Sequence, residues 1–187
     1  MTEKEKMLAG DLYDASDPQL QAERQQARQL MQQFNQEQEG AKRSALLKSW
    51  FGATGQVVDI EPPLACDYGS NIYIGNHFYA NVNQTFLDVC EIRIGDYCLF
   101  GPNCQLLTPL HPLDPIERRS GVEYGAPISI GNNVWLGGGV TILPGVTLGD
   151  NVVVGAGSVV TKSFSENLVI AGNPARVIKS IGNKKSQ

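Results

Sequence analysis

From Ile130 onward an aliphatic side chain returns at every sixth position: Ile130, Leu136, Ile142, Leu148, Val154 and Val160. The fifth position of each hexad is mostly small and apolar, with Val134, Val140, Val146 and Val152 followed by Ser158 and Phe164. Glycine follows the aliphatic residue in four of the six units, at Gly131, Gly137, Gly149 and Gly155. A strict period of six fits neither a 3.6-residue helix nor the two-residue alternation of a hairpin sheet. It predicts a parallel β-helix, in which each hexad is a short strand plus a corner and stacked coils bury the aliphatic row. The glycines are expected where the chain turns sharply or takes a positive φ.

The same spacing appears earlier at Ile74, Ala80, Phe86 and Ile92, then slips by two to Ile94, Phe100 and Leu106, as a corner irregularity would. Between Thr108 and Pro127 it vanishes into TPLHPLDPIERRSGVEYGAP, a stretch rich in proline and charge. Three hexads make one coil, so the final run supplies two coils and the earlier hexads two to three more. At a strand spacing of ~4.8 Å the column is roughly 20–25 Å tall. Loops longer than about 12–15 residues without structure of their own are usually functional or disordered. This one carries His111, one of only two histidines, which favours function. The other, His77, falls on an outward or corner position of its hexad and reads as structural.

The first sixty residues have a helical pattern. Thr2 and Glu5 form a capping box for a short helix that Gly10 can end. Asp17 and Pro18 are an N-cap and first-turn pair. Leu20, Ala27, Leu30, Met31 and Phe34 then mark one face of a helix running to about residue 35. A third helix, near residues 41–51, is expected to bury Leu46, Leu47, Trp50 and Phe51, and Pro62-Pro63 ends any helix and begins the solenoid. The fold class is mainly β: a parallel β-helix over 61–170 with a loop inserted at 108–127, a helical module over 1–60 and a basic tail over 171–187. From Asn167 to Gln187 there are four basic residues and no acidic one.

A net charge of -4 and a pI near 5.2 argue against nucleic acid or an anionic membrane as the main partner. There is no long apolar run, and the start lacks the apolar core of a secretory signal, so a cytoplasmic location is expected. Cys66, Cys90, Cys98 and Cys104 lack the paired spacing of a zinc site. Cys98 and Cys104, one hexad apart, fall on the inward fifth position and read as small buried hydrophobes.

Several segments together carry a resemblance: Ile128 to Gly137 (ISIGNNVWLG), Pro144-Gly145-Val146, Gly155 to Lys162 (GAGSVVTK) and Gly172-Asn173-Pro174-Ala175-Arg176. Cys66-Asp67-Tyr68-Gly69, Phe78-Tyr79-Ala80-Asn81, His111-Pro112 and the N-terminal Tyr13, Asp17 and Arg24 extend it over nearly the whole chain. The pattern resembles the hexapeptide-repeat acyltransferases, in particular the maltose/galactoside O-acetyltransferase branch. The resemblance implies a left-handed β-helix working as a homotrimer, with acetyl-CoA as acetyl donor in the groove between neighbouring solenoids and no metal. His111 matches the catalytic histidine, a general base whose chemistry suits neutral pH. A backbone N–H near Gly138 is the expected oxyanion donor. Asp17, Arg24, Asp67, Tyr79, Asn81, Asp88 and Glu123 are the acceptor candidates, since carboxylates and amides pair with sugar hydroxyls in fixed geometry. Trp135, Gly138, Ala156, Thr161, Lys162, Arg176 and Lys179 are the coenzyme candidates, the last two as partners for phosphates.

Departures from the galactoside members bear on the acceptor. Asp67 stands for a serine, Glu123 for an apolar residue and Lys179 for an arginine, while Ala15 replaces an acidic sugar contact with Asp14 and Asp17 nearby. Asp67 and the Leu87-Asp88-Val89-Cys90 run resemble the maltose members instead, which favours a glucose- or maltose-type acceptor, acetylated at the 6-hydroxyl, over a galactoside or a xenobiotic. A zinc enzyme on the same solenoid would need several histidines, more than this chain has. A non-catalytic scaffold would leave the 108–127 loop, Trp135 and the basic tail unexplained.

Overall fold

The computed structural model describes residues 1–182; the last two lysines of the basic tail lie outside them. The hexads fold into three parallel sheets that face one another as the sides of a column. The first face stacks Ala53–Thr54, Ile72–Ile74, Ile92–Ile94, Ile128–Ile130 and Thr147–Leu148. The second stacks Val58–Ile60, Phe78–Ala80, Leu99–Phe100, Trp135–Leu136, Val153–Val154 and Leu168–Gly172. Leu64–Cys66, Gln84–Leu87, Gln105–Leu107, Thr141–Ile142 and Val159–Val160 make the third. Each aliphatic first position lies directly over its counterpart in the next coil: Ile94, Ile130 and Leu148 share one register, Phe100, Leu136 and Val154 another. These side chains and the fifth-position valines are buried in one continuous core, so the period of six is set by burial.

The column has five complete coils and part of a sixth, more than the hexads suggest. Thr54, Ile60 and Cys66 form a first coil paired to Ile74, Ala80 and Phe86. A threonine and a cysteine in the aliphatic register hid it, and the solenoid starts ahead of Pro62-Pro63. The two-residue slip is a corner enlargement: Ile92 and Ile94 are both buried on one strand, and the extra residues sit in the corner at 87–91. The corner at 67–71 is enlarged in the same way, and the 108–127 insertion leaves the same corner one coil further on. All three irregularities therefore stack along a single edge.

The glycines have a different cause from the one expected. Gly131, Gly137, Gly149 and Gly155 have no positive φ; among the described residues the left-handed corners belong to His77, Tyr97, Asn133, Asn151, Asn167 and others two or three positions later. What requires glycine is the neighbouring coil. A Cβ on Gly131 would lie 2.8 Å from the Asp150 backbone nitrogen, and one on Gly149 2.5 Å from that of Glu166. His77, in its left-handed corner, stacks on Tyr97 with ring centroids 4.8 Å apart, in keeping with a structural role.

Of the three N-terminal helices the second and third close the first coil, while the first packs beside Tyr13 and Cys90. α1 (Glu3–Ala9) has the capping box at Thr2 and Glu5 and ends at Gly10, and α2 (Pro18–Gln36) starts on the Asp17 cap. α3 (Gly40–Trp50) adds Leu47 and Trp50, which with Phe34 and Phe51 join the solenoid core; Leu46 is only partly buried there. Asn35 at the end of α2 pairs with the exposed strand of the first coil, donating to the Leu64 carbonyl at 2.9 Å and accepting from its N–H at 2.8 Å. At the other end the expected tail is instead a β-hairpin: Ala175–Ser180 runs antiparallel to Leu168–Gly172 and extends the second face. No helix among the described residues is long and apolar enough to cross a membrane.

Candidate active site

The inserted segment is not irregular. Pro109–Leu110 and Val122–Gly125 pair as an antiparallel hairpin with a short helix, α4 (Pro115–Arg119), at its tip. Tyr13–Asp14 adds a third strand on the other side of Val122–Gly125. Gly10 allows this close approach, since a Cβ there would sit 2.7 Å from the Gly125 carbonyl oxygen. The N-terminal module thereby fastens the hairpin beside the enlarged corners.

Between them lies a cleft of about 380 Å³, lined by Tyr13, Ala15, Arg24, Arg28, Asp67, Tyr68, Leu87, Val89, Pro109, His111 and Glu123. Four sequence candidates thus meet: His111, Arg24, Asp67 and Glu123. His111 is exposed at the mouth, just beyond the hairpin strand. The Tyr13 hydroxyl donates to Glu123 Oε2 at 2.8 Å, and burial together with that carboxylate pushes the phenol far above its ordinary range. Arg24 donates to the Tyr68 hydroxyl at 2.7 Å and to the Ala15 carbonyl at 2.6 Å. Tyr68 and Arg28 were not singled out in the sequence, nor was Tyr13 as a partner of Glu123. Arg28 had a signal, standing one helical turn after Arg24 and so on the same face.

Burial raises the Asp67 carboxyl to about 6, Glu123 adds to the shift, and Arg24 and Arg28 hold it back. Among the described residues no donor is hydrogen-bonded to this carboxylate. Between pH 4 and 6 the folded chain therefore holds a proton there that the unfolded chain has released, and the group's contribution to stability falls as pH rises through that window. Asp67→Asn should make the protein more stable than wild type above about pH 6 and leave it level near pH 4, while weakening acceptor binding. Urea titrations at the two pH values check the first outcome and the acceptor KM checks the second.

Two candidates lie near the cleft without reaching it. Asp17 caps α2, accepting from Gln19 and Leu20 N–H at 3.0 and 3.2 Å. Asp88 is fully buried and its carboxylate accepts backbone N–H groups of the 67–71 corner. An acidic residue at a helix start or in a corner satisfies the backbone first, which a sequence does not separate from ligand binding.

The remaining candidates sit mostly elsewhere on the column. Tyr79, Leu99, Trp135, Val153, Val169 and Lys179 share one outward row on the second face, with Trp135 54 % exposed. Asn81, Gly138 and Ala156 occupy the corners between the second and third faces, and Arg176 lies opposite Ala171 in the C-terminal hairpin. Thr161 and Lys162 belong instead to the insertion edge, two coils past the cleft, where the Lys162 ammonium lies 5.6 Å from the Phe164 ring centre.

The corners explain what the Gly138 edge can do. Between the first and second faces, the N–H of the second corner residue is capped by a side chain from the next coil in three successive coils: Asn76 by Asp96, Asp96 by Asn132, Asn132 by Asp150, at 2.7–2.8 Å. Between the second and third faces the corresponding residues are Gly138 and Ala156, which have no such side chain to offer. Gly137 and Gly139 both donate within the column, at 2.8 Å each. Among the described residues, the N–H groups of Gly138 and Ala156 have no acceptor. The edge thus carries two free backbone donors beside a half-exposed tryptophan, a surface suited to amide and thioester carbonyls.

Residues 6–55 match the maltose acetyltransferase hexapeptide capping motif and residues 127–162 the bacterial transferase hexapeptide with its six repeats. The galactoside O-acetyltransferase of Escherichia coli K12 is 44 % identical over 96 % of this chain and 90 % of its own length. A maltose O-acetyltransferase structure from Clostridium difficile 630 superposes with a TM-score of 0.96 at 52 % identity, covering 97 % of this chain and 98 % of that one. The chain belongs to the hexapeptide-repeat acetyltransferases of the maltose and galactoside type. A galactoside acetyltransferase in complex with coenzyme A matches this acetyltransferase with a TM-score of 0.93 and 44 % identity over 97 % of the present chain and 92 % of its own. As in the rest of this acyltransferase family, the fold is a parallel β-solenoid with few helices.

Proposed function

We propose that the protein transfers the acetyl group of acetyl-CoA to the 6-hydroxyl of a glucose- or maltose-type sugar, at a site completed between subunits of a homotrimer. The observation that carries this reading is the separation of two half-sites on one column. The cleft with His111, Asp67 and Glu123 is on the insertion edge, while Trp135, Gly138 and Ala156 are on the second face and the edge beyond it. The third face lies between the two edges, so one chain does not bring them together. A neighbouring column that presents its Gly138 edge to this cleft does, and threefold symmetry closes the arrangement with every subunit contributing both halves.

In that site the sugar sits in the cleft with its hydroxyls toward Asp67 and Glu123. His111 takes the proton of the attacking hydroxyl as oxygen bonds to the thioester carbon. The developing oxyanion accepts from the free N–H of Gly138, a donor already in place before reaction. Collapse expels the coenzyme thiolate, which receives the proton back from His111, leaving the acetyl ester and free coenzyme. The pantetheine arm lies on Trp135 and meets the Ala156 N–H. Arg176 and Lys179, exposed in the C-terminal hairpin, face the nucleotide phosphates.

Thiol release from acetyl-CoA across maltose, glucose, isopropyl-thiogalactoside, chloramphenicol and serine tests the reading. Fast release with glucose or maltose is expected; release only with the galactoside or chloramphenicol would move the acceptor, and none at all would refute the transfer. Trp135→Ala should raise the KM for acetyl-CoA while changing the sugar KM little, and equal losses on both substrates would undo that assignment.

A further inference from the structure

The enlarged corners at 67–71 and 87–91 lie one above the other, and a single side chain joins them. Asp88 is 0 % exposed. Its Oδ1 accepts from the Asp67 N–H at 3.0 Å and the Tyr68 N–H at 2.9 Å, and its Oδ2 from the Asn71 N–H at 3.3 Å. The Asn71 side chain returns the contact, donating to the Asp88 carbonyl at 2.7 Å. Three backbone donors on one buried carboxyl group are a strong restraint, because a buried N–H that loses its acceptor is costly.

The held corner presents the cleft. Asp67 projects from it with a carboxylate that accepts no hydrogen bond among the described residues, and Tyr68 continues to Arg24, which holds the Ala15 carbonyl. Leu87 and Val89, the two neighbours of Asp88 in sequence, line the cleft as well. The floor and one wall of the acceptor cleft therefore depend on a residue that never touches it. We infer that Asp88 is a positioning residue for acceptor binding, acting through Asp67 and Tyr68, and that it tunes affinity for the sugar without entering the acetyl-transfer step. This rests on the proposed sugar-acetyltransferase reading and adds a residue to it.

Asp88→Asn keeps shape and size but turns one acceptor into a donor facing backbone N–H groups. With acetyl-CoA saturating, its acceptor KM should rise by about 10- to 100-fold, the effect of leaving a buried donor without its acceptor. Its kcat should stay within about threefold of wild type and its KM for acetyl-CoA should not move. Because part of the effect of Asp88 passes through Asp67, the Asp67→Asn, Asp88→Asn double variant should lose less in acceptor KM than the two single losses combined. Additive losses, or an unchanged acceptor KM in a folded Asp88→Asn, would overturn the inference. If Asp88→Asn does not fold, Asn71→Ala, which removes only the returning bond, should give a smaller shift in the same direction and kill the inference if acceptor KM is unmoved. Wild type run beside them separates the two failures: no turnover of glucose or maltose by wild type sinks the reading of function, whereas normal wild-type turnover with additive variants sinks only the role of Asp88.

Discussion

Replacing His111 by alanine should lower turnover by roughly 10²–10⁴ while leaving the oligomer, the thermal transition and coenzyme binding in place. The size follows from the role: a hydroxyl attacking a thioester must lose its proton, and His111 is the one imidazole among the residues that line the cleft. Asp67 and Glu123 are poorly suited substitutes, the one lying in the field of Arg24 and Arg28 and the other already accepting from Tyr13. The indifference of stability follows from burial. His111 is exposed, and among the described residues its ring makes no hydrogen bond, whereas the adjacent Pro112 is buried and would anchor the strand in the variant. Steady-state rates with glucose, a melting curve and coenzyme titration calorimetry on one preparation check all parts. A His111→Ala protein that melts early would make the histidine structural.

The second large effect concerns the column itself. Gly95→Ala would place a methyl 2.6 Å from Asn132 Oδ1 and 2.7 Å from both the carbon and the oxygen of the Gly131 carbonyl. Two of those three atoms are backbone and cannot swing aside, and the third caps the Asp96 N–H. Overpacking of this kind costs about 1–3 kcal/mol and here disturbs coils on both sides of the corner. Gly40→Ala is the matched control. At the first turn of α3 the nearest atom to the added methyl is the Arg43 guanidinium at 3.8 Å, and alanine there should leave stability level or slightly raised, as helix propensity favours it. Urea midpoints of the two variants should move in opposite directions. A tolerant Gly95→Ala would mean that the coils separate more easily than their register suggests.

The solenoid was legible because burial of one inward row dictates a period that survives in the sequence. It became illegible where inward residues stopped being aliphatic, as at Thr54 and Cys66. The corner glycines were located correctly and explained wrongly, since a close approach between neighbouring coils, as of Gly131 to Asp150 or Gly149 to Glu166, leaves no local trace. Within the candidate site, His111, Asp67 and Glu123, named from the sequence, lie in segments that break the repeat, and they line one cleft with Arg24 of the N-terminal module. Asp17 and Asp88 carry the same chemistry but are turned to backbone N–H groups. The C-terminal hairpin was hidden by its polarity, which reads as a solvated tail until Leu168–Gly172 is seen to pair with it.

The paired hydrogen bonds from Asn35 to Leu64 matter beyond the cap they form. A stack of identical coils has no intrinsic length: whatever makes one coil settle on the next makes another copy settle on the last, and an open end is a template for a fibre. One amide at the end of α2 occupies both the donor and the acceptor that an incoming strand on the third face would use, and the Phe34 and Trp50 side chains cover the apolar disc behind it. The opposite end is closed by a chain that doubles back antiparallel and breaks the repeat. A molecule built from a motif capable of unlimited growth is thereby given a fixed height, and association is left to its flanks.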